Sequence, residues 1–190
     1  MTVFPTAYFG NVNYYKAWIT CESKSIESKA FFEKQSLRTR CEILGPNGIQ
    51  QLSIPVIRSN GSKTPMDQVI IANDTPWQKV HWKSIETAYA SAAFFEDYGD
   101  EVRKLIFQKE VNLLKFNQNI HETVFEWLGL PFHMEYNAFY DKDALTYVFG
   151  GQTMKPYFQL FPIEGSFIPH LSILDLIFAE GPMARKWLMP

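Results

Sequence analysis

Residues 36–57 read SLRTRCEILGPNGIQQLSIPVI, and the fold class turns on this stretch. Leu37, Cys41 and Ile43 alternate with Arg38, Arg40 and Glu42. A repeat of two places successive side chains on opposite faces of a strand. Pro46 and Asn47 then occupy positions a tight turn favours, and Gly48 closes it. Leu52, Ile54 and Val56 resume the alternation. The pattern predicts a β-hairpin near 37–57.

Upstream, TVFPTAYF (2–9) reads as a strand running into a loop, and NVNYYKAWI (11–19) as a brief helix or turn. WITCES (18–23) reads as a second strand, and polar SKSIESK (23–29) as a loop. Downstream, SNGSKTP (59–65) is a loop and DQVIIAN (67–73) a short strand. From Trp77 to about Ala93 the period becomes helical. Trp77, His81, Ile85, Ala88 and Ala92 fall within roughly 80° of arc. Asn73, Asp74 and Thr75 offer caps, and Pro76 suits a first helical position. Further helices are predicted near 97–107 and 111–128, the latter with Leu113, Phe116, Ile120, Val124 and Trp127 on one face and Gly129 and Pro131 after it. Residues 132–165 read as irregular with one or two short strands, and YFQLFP (157–162) as an edge strand or loop. Strands, then helices, then a mixed tail imply an α/β (α+β mixed) fold: one domain over 1–190, with a mixed sheet and helices packed on it.

In the tail, FIPHLSILDLIFAEGP (167–182) carries Ser172 and Asp175 within an apolar run. Ser-x-x-Asp has the form of a capping box, with Leu171 and Leu176 as a hydrophobic staple and Gly181-Pro182 as the stop. The expectation is that this pair starts a helix.

Bulk properties narrow the function. A length of 190 residues suits one domain with a real core. A net charge of −2 gives no basis for binding a nucleic-acid backbone. Cys21 and Cys41 form no C-x-x-C pair, which argues against a zinc or disulfide scaffold. No apolar run is long enough to span a bilayer and no signal peptide is visible, so a cytoplasmic location is expected. No G-x-G-x-x-G, P-loop or G-x-S-x-G pattern is present. The cofactor, the group donor and the oligomeric state are unspecified. Aromatic residues make up 16%, enough to fill a core and also line a ligand cleft.

Several residues are candidates for chemistry. Arg38 and Arg40, two apart on a strand, point to one face and can hold a carboxylate or phosphate, although Glu42 shares that face. His81, in the middle of an apolar arc, is a core histidine or a general base whose pKa burial lowers. Tyr8, Tyr14 and Tyr15 follow the first strand, where open sheets bind ligands. Tyr89, at the edge of its helical arc, can line the same cleft. Cys41 lies on the apolar side of its strand and reads as a small core residue. His121 sits at the edge of an apolar face, and His133 and His170 lie near turns.

Four stretches carry a family resemblance: TAYFGNVNYY; FEKQSLRTRCEILGPNG with LSIPV after it; WQKVHWKSIETAYASAAFFEDY; and PYFQLFP with GSFIPHLSILDLIFAEGP. In order and spacing, from residue 6 to 184, they resemble the WbqC-like family in the form found in Bacteroidetes. The first is similar to the family's "TAYLPPVQYF". The second is similar to "KQTYRNRC", an Asn-Gly turn and "LxxPV". The chain departs at Gly10 and Asn11, where Pro is usual, at Asn13 in place of Gln, and at His170 in place of Asn or Asp. The resemblance implies a single α/β domain and an association with bacterial surface-polysaccharide genes. It leads to an expected group-transfer enzyme, acyl or aminoacyl, acting on a sugar or sugar nucleotide. In that picture His81 is the base, and Arg38, Arg40, Tyr8 and Tyr89 bind substrate. The alternative is a non-catalytic sugar- or nucleotide-binding or pathway-assembly protein.

Overall fold

The computed structural model describes residues 2–137, 139 and 154–189. The elements in chain order are β1 (Thr2–Phe4), α1 (Val12–Thr20), β2 (Lys24–Ile26), β3 (Arg40–Gly45), β4 (Gly48–Ser53), β5 (Val56–Ile57), β6 (Ile70–Ile71), α2 (Trp77–Tyr89), α3 (Phe95–Ile106), α4 (Leu113–Trp127), α5 (Ile173–Glu180) and α6 (Ala184–Leu188). The fold is mixed α/β. Its strands pair as a parallel β1–β2 and two antiparallel pairs, β3–β4 and β5–β6.

The hairpin is β3–β4, with Gly45 paired to Gly48 across a Pro46–Asn47 turn. Gly48 has φ of 97°, a conformation that a side chain disfavours. Arg40 pairs with Ser53 and Glu42 with Gln51 on one face, while Cys41 and Leu52 pair on the buried face. The strand begins at Arg40, so Arg38 is not on it. Residues 37–39 form a turn, closed by Thr39 and Arg40 amides donating to the Ser36 carbonyl. The residues between β1 and the hairpin also differ from expectation. Residues 18–20 continue α1 and are not a strand. The strand lies instead at Lys24–Ile26, within the polar stretch read as loop. β1, only three residues long, supplies the parallel partner that makes this segment extended. Pairing here overrides local composition.

The helical faces are as the period predicts. In α4, Leu113, Phe116, Ile120 and Val124 are buried, each stabilising the fold by about 1.5–3 kcal/mol. In α2, Trp77, His81, Ile85 and Ala88 are buried. Both helices contribute to one continuous core with α1, α5 and α6. YFQLFP is irregular in structure, and much of 132–165, where one or two short strands were expected, lies outside the described residues.

The C-terminal segment ties the layers together. Ser172 donates its amide to the Glu42 carbonyl of β3 at 2.7 Å. The Ile173 amide donates to Gly10 at 2.9 Å, and Val12 donates to Leu171 at 3.1 Å. Residues 170–173 therefore run between the hairpin and the start of α1. Among the described residues no helix is long and apolar enough to cross a membrane.

Candidate functional site

A hollow of about 400 Å³ opens where three distant segments meet: the 33–42 turn and strand, the start of α1, and the approach to α5. Arg38, Arg40, Glu33, Glu42, Asn11 and His170 supply its polar lining, with Gln35, Ser36 and Gln51; Pro5, Leu37 and Cys41 contribute apolar surface.

Each polar wall has a local cause. The turn carrying Arg38 is pinned by the Tyr8 amide, which donates to the Leu37 carbonyl, and by Asn117 Nδ2 of α4, which donates to the Arg38 carbonyl at 2.9 Å. Arg38 is buried. Its Nε donates to Glu27 Oε1 at 2.5 Å, and its Nη2 contacts the same carboxylate. Its Nη1 donates to Glu33 Oε2 at 2.9 Å. Burial pushes the Glu27 carboxyl up, and the Arg38 charge and hydrogen bond pull it back down. Arg40, half-buried on β3, makes no ion pair or side-chain hydrogen bond among the described residues.

Asn11, one of the two departures from proline, caps α1 by accepting the Tyr14 amide at 2.8 Å. His170 is exposed at the mouth, with its Nδ1 3.1 Å from Asn13 Nδ2. An amide nitrogen only donates, so this contact makes Nδ1 the acceptor and leaves the proton of neutral His170 on Nε2. Gln35, in the lining, holds a positive φ of 58°.

The predicted residues divide between places. Arg38 and Arg40 share the hollow. His81 does not line it. The imidazole is buried in α2 beside a second, shallower hollow of about 330 Å³ between β4 and the start of α2; Gln51 is common to both. Tyr8 is fully buried, and its hydroxyl lies 2.9 Å from His81 Nδ1. Burial raises the Tyr8 pKa, so the un-ionised phenol donates to the imidazole. Burial lowers His81 to about 4, partly opposed by a bond to the Ser53 backbone. The imidazole is neutral and satisfied.

Tyr89 is likewise buried. Its hydroxyl donates to Asp175 Oδ1 at 3.0 Å and accepts the Leu44 amide at 3.3 Å. Asp175 also takes bonds at Oδ2 from Tyr157 at 2.9 Å and Gln159 at 3.1 Å. Burial raises its pKa, against the hydrogen bonds that lower it. Ser172 caps α5 by accepting the Leu174 amide at 3.3 Å, and its hydroxyl donates to the Phe9 carbonyl. The box is thus half formed: the serine caps, but the Ser172 amide goes to Glu42 and Asp175 turns inward to the tyrosines.

Tyr14, Tyr15 and His121 form a buried group. Tyr15 Oη is 3.0 Å from His121 Nδ1, the Ala7 amide donates to Nε2 at 3.3 Å, and Tyr14 donates to the Pro5 carbonyl. His121 is thus buried with a partner at each ring nitrogen. The Cys41 thiol is buried and pushed up by desolvation, so it is no ready nucleophile.

Glu27, Glu33 and Asn13 were not legible as site neighbours. Glu33 lies five residues before Arg38, a spacing with no regular-element meaning, and Glu27 belongs to a stretch read as loop.

No solved structure matches the chain. The "Uncharacterized protein Rv1507c" of Mycobacterium tuberculosis (strain ATCC 25618 / H37Rv) is 23% identical over 193 residues, covering 83% of each chain. The model of the WbqC-like protein family matches residues 6–144, a span that carries both arginines of the hollow, Asn11 and Glu33, and the chain belongs to that family.

Proposed function

We propose that this WbqC-like protein binds a sugar or sugar nucleotide in the hollow around Arg40, and that it does so as a group-transfer enzyme, acyl or aminoacyl, in surface-polysaccharide biosynthesis. The observation that carries the binding reading is the Arg40 guanidinium, without a partner among the described residues, in a hollow that also holds hydrogen-bonding groups of both kinds. Carboxylates and amide oxygens accept from sugar hydroxyls; amides, serine and guanidinium donate. The arginine reads a phosphate or carboxylate with paired donors.

The lining thiol is buried and held protonated. His81 stands in the neighbouring hollow, so the imidazole available to a ligand beside Arg40 is His170. Its Nε2–H is a donor toward a hydroxyl or phosphate oxygen.

The second reading, a non-catalytic sugar- or nucleotide-binding protein, is favoured by the engagement of His81 with Tyr8 and its separation from the arginine hollow. One experiment divides them. Thermal shift against sugar nucleotides and acyl donors finds the ligand, because binding to the native state raises the melting temperature. Incubation of an amino-sugar ligand with each donor is then followed by mass spectrometry. A mass gain that depends on the protein supports transfer. Ligand binding with no mass gain for any donor supports the binding protein.

A further inference from the structure

Arg38 has two kinds of donor. Nε and Nη2 are sealed against Glu27, whose side chain is 6% exposed. Nη1 is covered by Glu33, whose side chain is 70% exposed, and both residues line the hollow. The inner carboxylate is fixed by burial, while the outer one lies largely in water and is held by a single ion pair that solvent screens. Glu33 sits on the 33–37 approach and can swing into solvent without breaking a buried contact of its own. Arg40 lines the same hollow, and its guanidinium has no partner among the described residues.

We infer that Glu33 is a built-in occupant of an anion subsite formed by Arg38 Nη1 and Arg40, and that the phosphate or carboxylate of a ligand displaces it. This rests on the reading of the hollow as the binding site and deepens it. A carboxylate tethered by the chain competes with the incoming anion, sets a threshold against weakly charged solutes, and keeps Arg38 paired until the anion arrives. Displacement exchanges one anionic oxygen for another on Nη1, while Arg40 supplies the additional attraction. Glu27 keeps Arg38 in place throughout.

The test is calorimetric titration of the full chain with inorganic pyrophosphate and, separately, with glucuronate, at fixed ionic strength. Wild type, Glu33→Gln, Arg40→Met and Glu42→Gln are compared. Glu42→Gln removes the same charge from the same hollow without touching Arg38. For at least one of the two anions, Glu33→Gln is expected to tighten binding several-fold, clearly more than Glu42→Gln, and Arg40→Met to weaken it about tenfold or more. Which anion responds separates a phosphate subsite from a sugar-carboxylate subsite. Equal effects of Glu33→Gln and Glu42→Gln, no effect of Glu33→Gln, or no binding of either anion by wild type and Glu33→Gln overturns the inference. Sugar nucleotides binding with dependence on Arg40 but indifference to Glu33 overturns it while leaving the hollow as the binding site.

Discussion

Arg38 and Glu27 form a buried ion pair, Nε to Oε1 at 2.5 Å, in which both side chains are 6% exposed. The pair joins the turn before β3 to the residue just after β2, two segments that no strand pairing connects. Desolvation offsets much of the attraction between buried charges, so the pair's net contribution is modest. Breaking it is another matter. Glu27→Ala leaves a guanidinium without its inner partner and is expected to destabilise the fold by roughly 3–5 kcal/mol. Glu33→Ala is expected to cost less than about 1 kcal/mol, because that partner is largely in water. Urea midpoints of the two variants check the difference. Equal losses contradict the division of Arg38 into a structural and a ligand-facing side.

Asp175 gathers hydrogen bonds from Tyr89, Tyr157 and Gln159, joining α2, the 157–159 segment and α5. Asp175→Ala leaves the buried Tyr89 and Tyr157 hydroxyls without this acceptor, each at about 1–3 kcal/mol, while Gln159 Nε2 keeps the Ile168 carbonyl. A loss of about 3 kcal/mol or more in chemical denaturation is expected. Asp175→Asn keeps one acceptor oxygen and is expected to lose less. The order of the two variants, measured by urea midpoint, is the check; reversal indicates that the charge and not the hydrogen bonding holds these segments.

The histidines give the fold an acid sensitivity of definite sign. Burial lowers His81 to about 4 and His121 to about 3, below the unfolded value of about 6.5. The unfolded chain therefore takes up protons on these groups at a pH where the folded chain does not. Their contribution to stability is intact above about pH 6.5 and falls as pH drops below it, until the folded imidazoles also protonate. Between pH 7 and 5.5 the expected loss is roughly 1 kcal/mol for each buried histidine. Imidazole proton shifts in the folded protein are expected to stay flat from pH 8 to 5 for both. A midpoint near 6.5 for either contradicts its burial as the cause.

The parts of this fold written in local pattern were readable from the sequence. The hairpin has an alternating apolar run, a Pro-Asn turn and a glycine with positive φ, and α2 and α4 have an apolar stripe at helical period. The β1–β2 pair was hidden because three-residue strands lack room for a pattern and owe their state to a partner. The arginine spacing put Arg38 and Arg40 together, as in the structure, but by a wrong local route: Arg38 reaches the hollow from a turn, and its burial depends on Glu27, which nothing in the spacing announces. His170 was visible only as a residue near a turn. Its place at the mouth is set by the backbone bonds of Ser172 and Ile173 to β3 and residue 10, contacts across most of the chain length. Tyr8 and His81 were read as partners of the arginines, and the structure joins them to each other.

The measurement closest to the central claim is sugar-nucleotide binding to wild type and Arg40→Met. Arg40 has no partner among the described residues, so the substitution is expected to leave the urea midpoint within about 0.5 kcal/mol of wild type. Affinity for the best ligand of the panel is expected to fall about tenfold or more. A folded Arg40→Met protein that binds that ligand as tightly as wild type contradicts the assignment of the hollow.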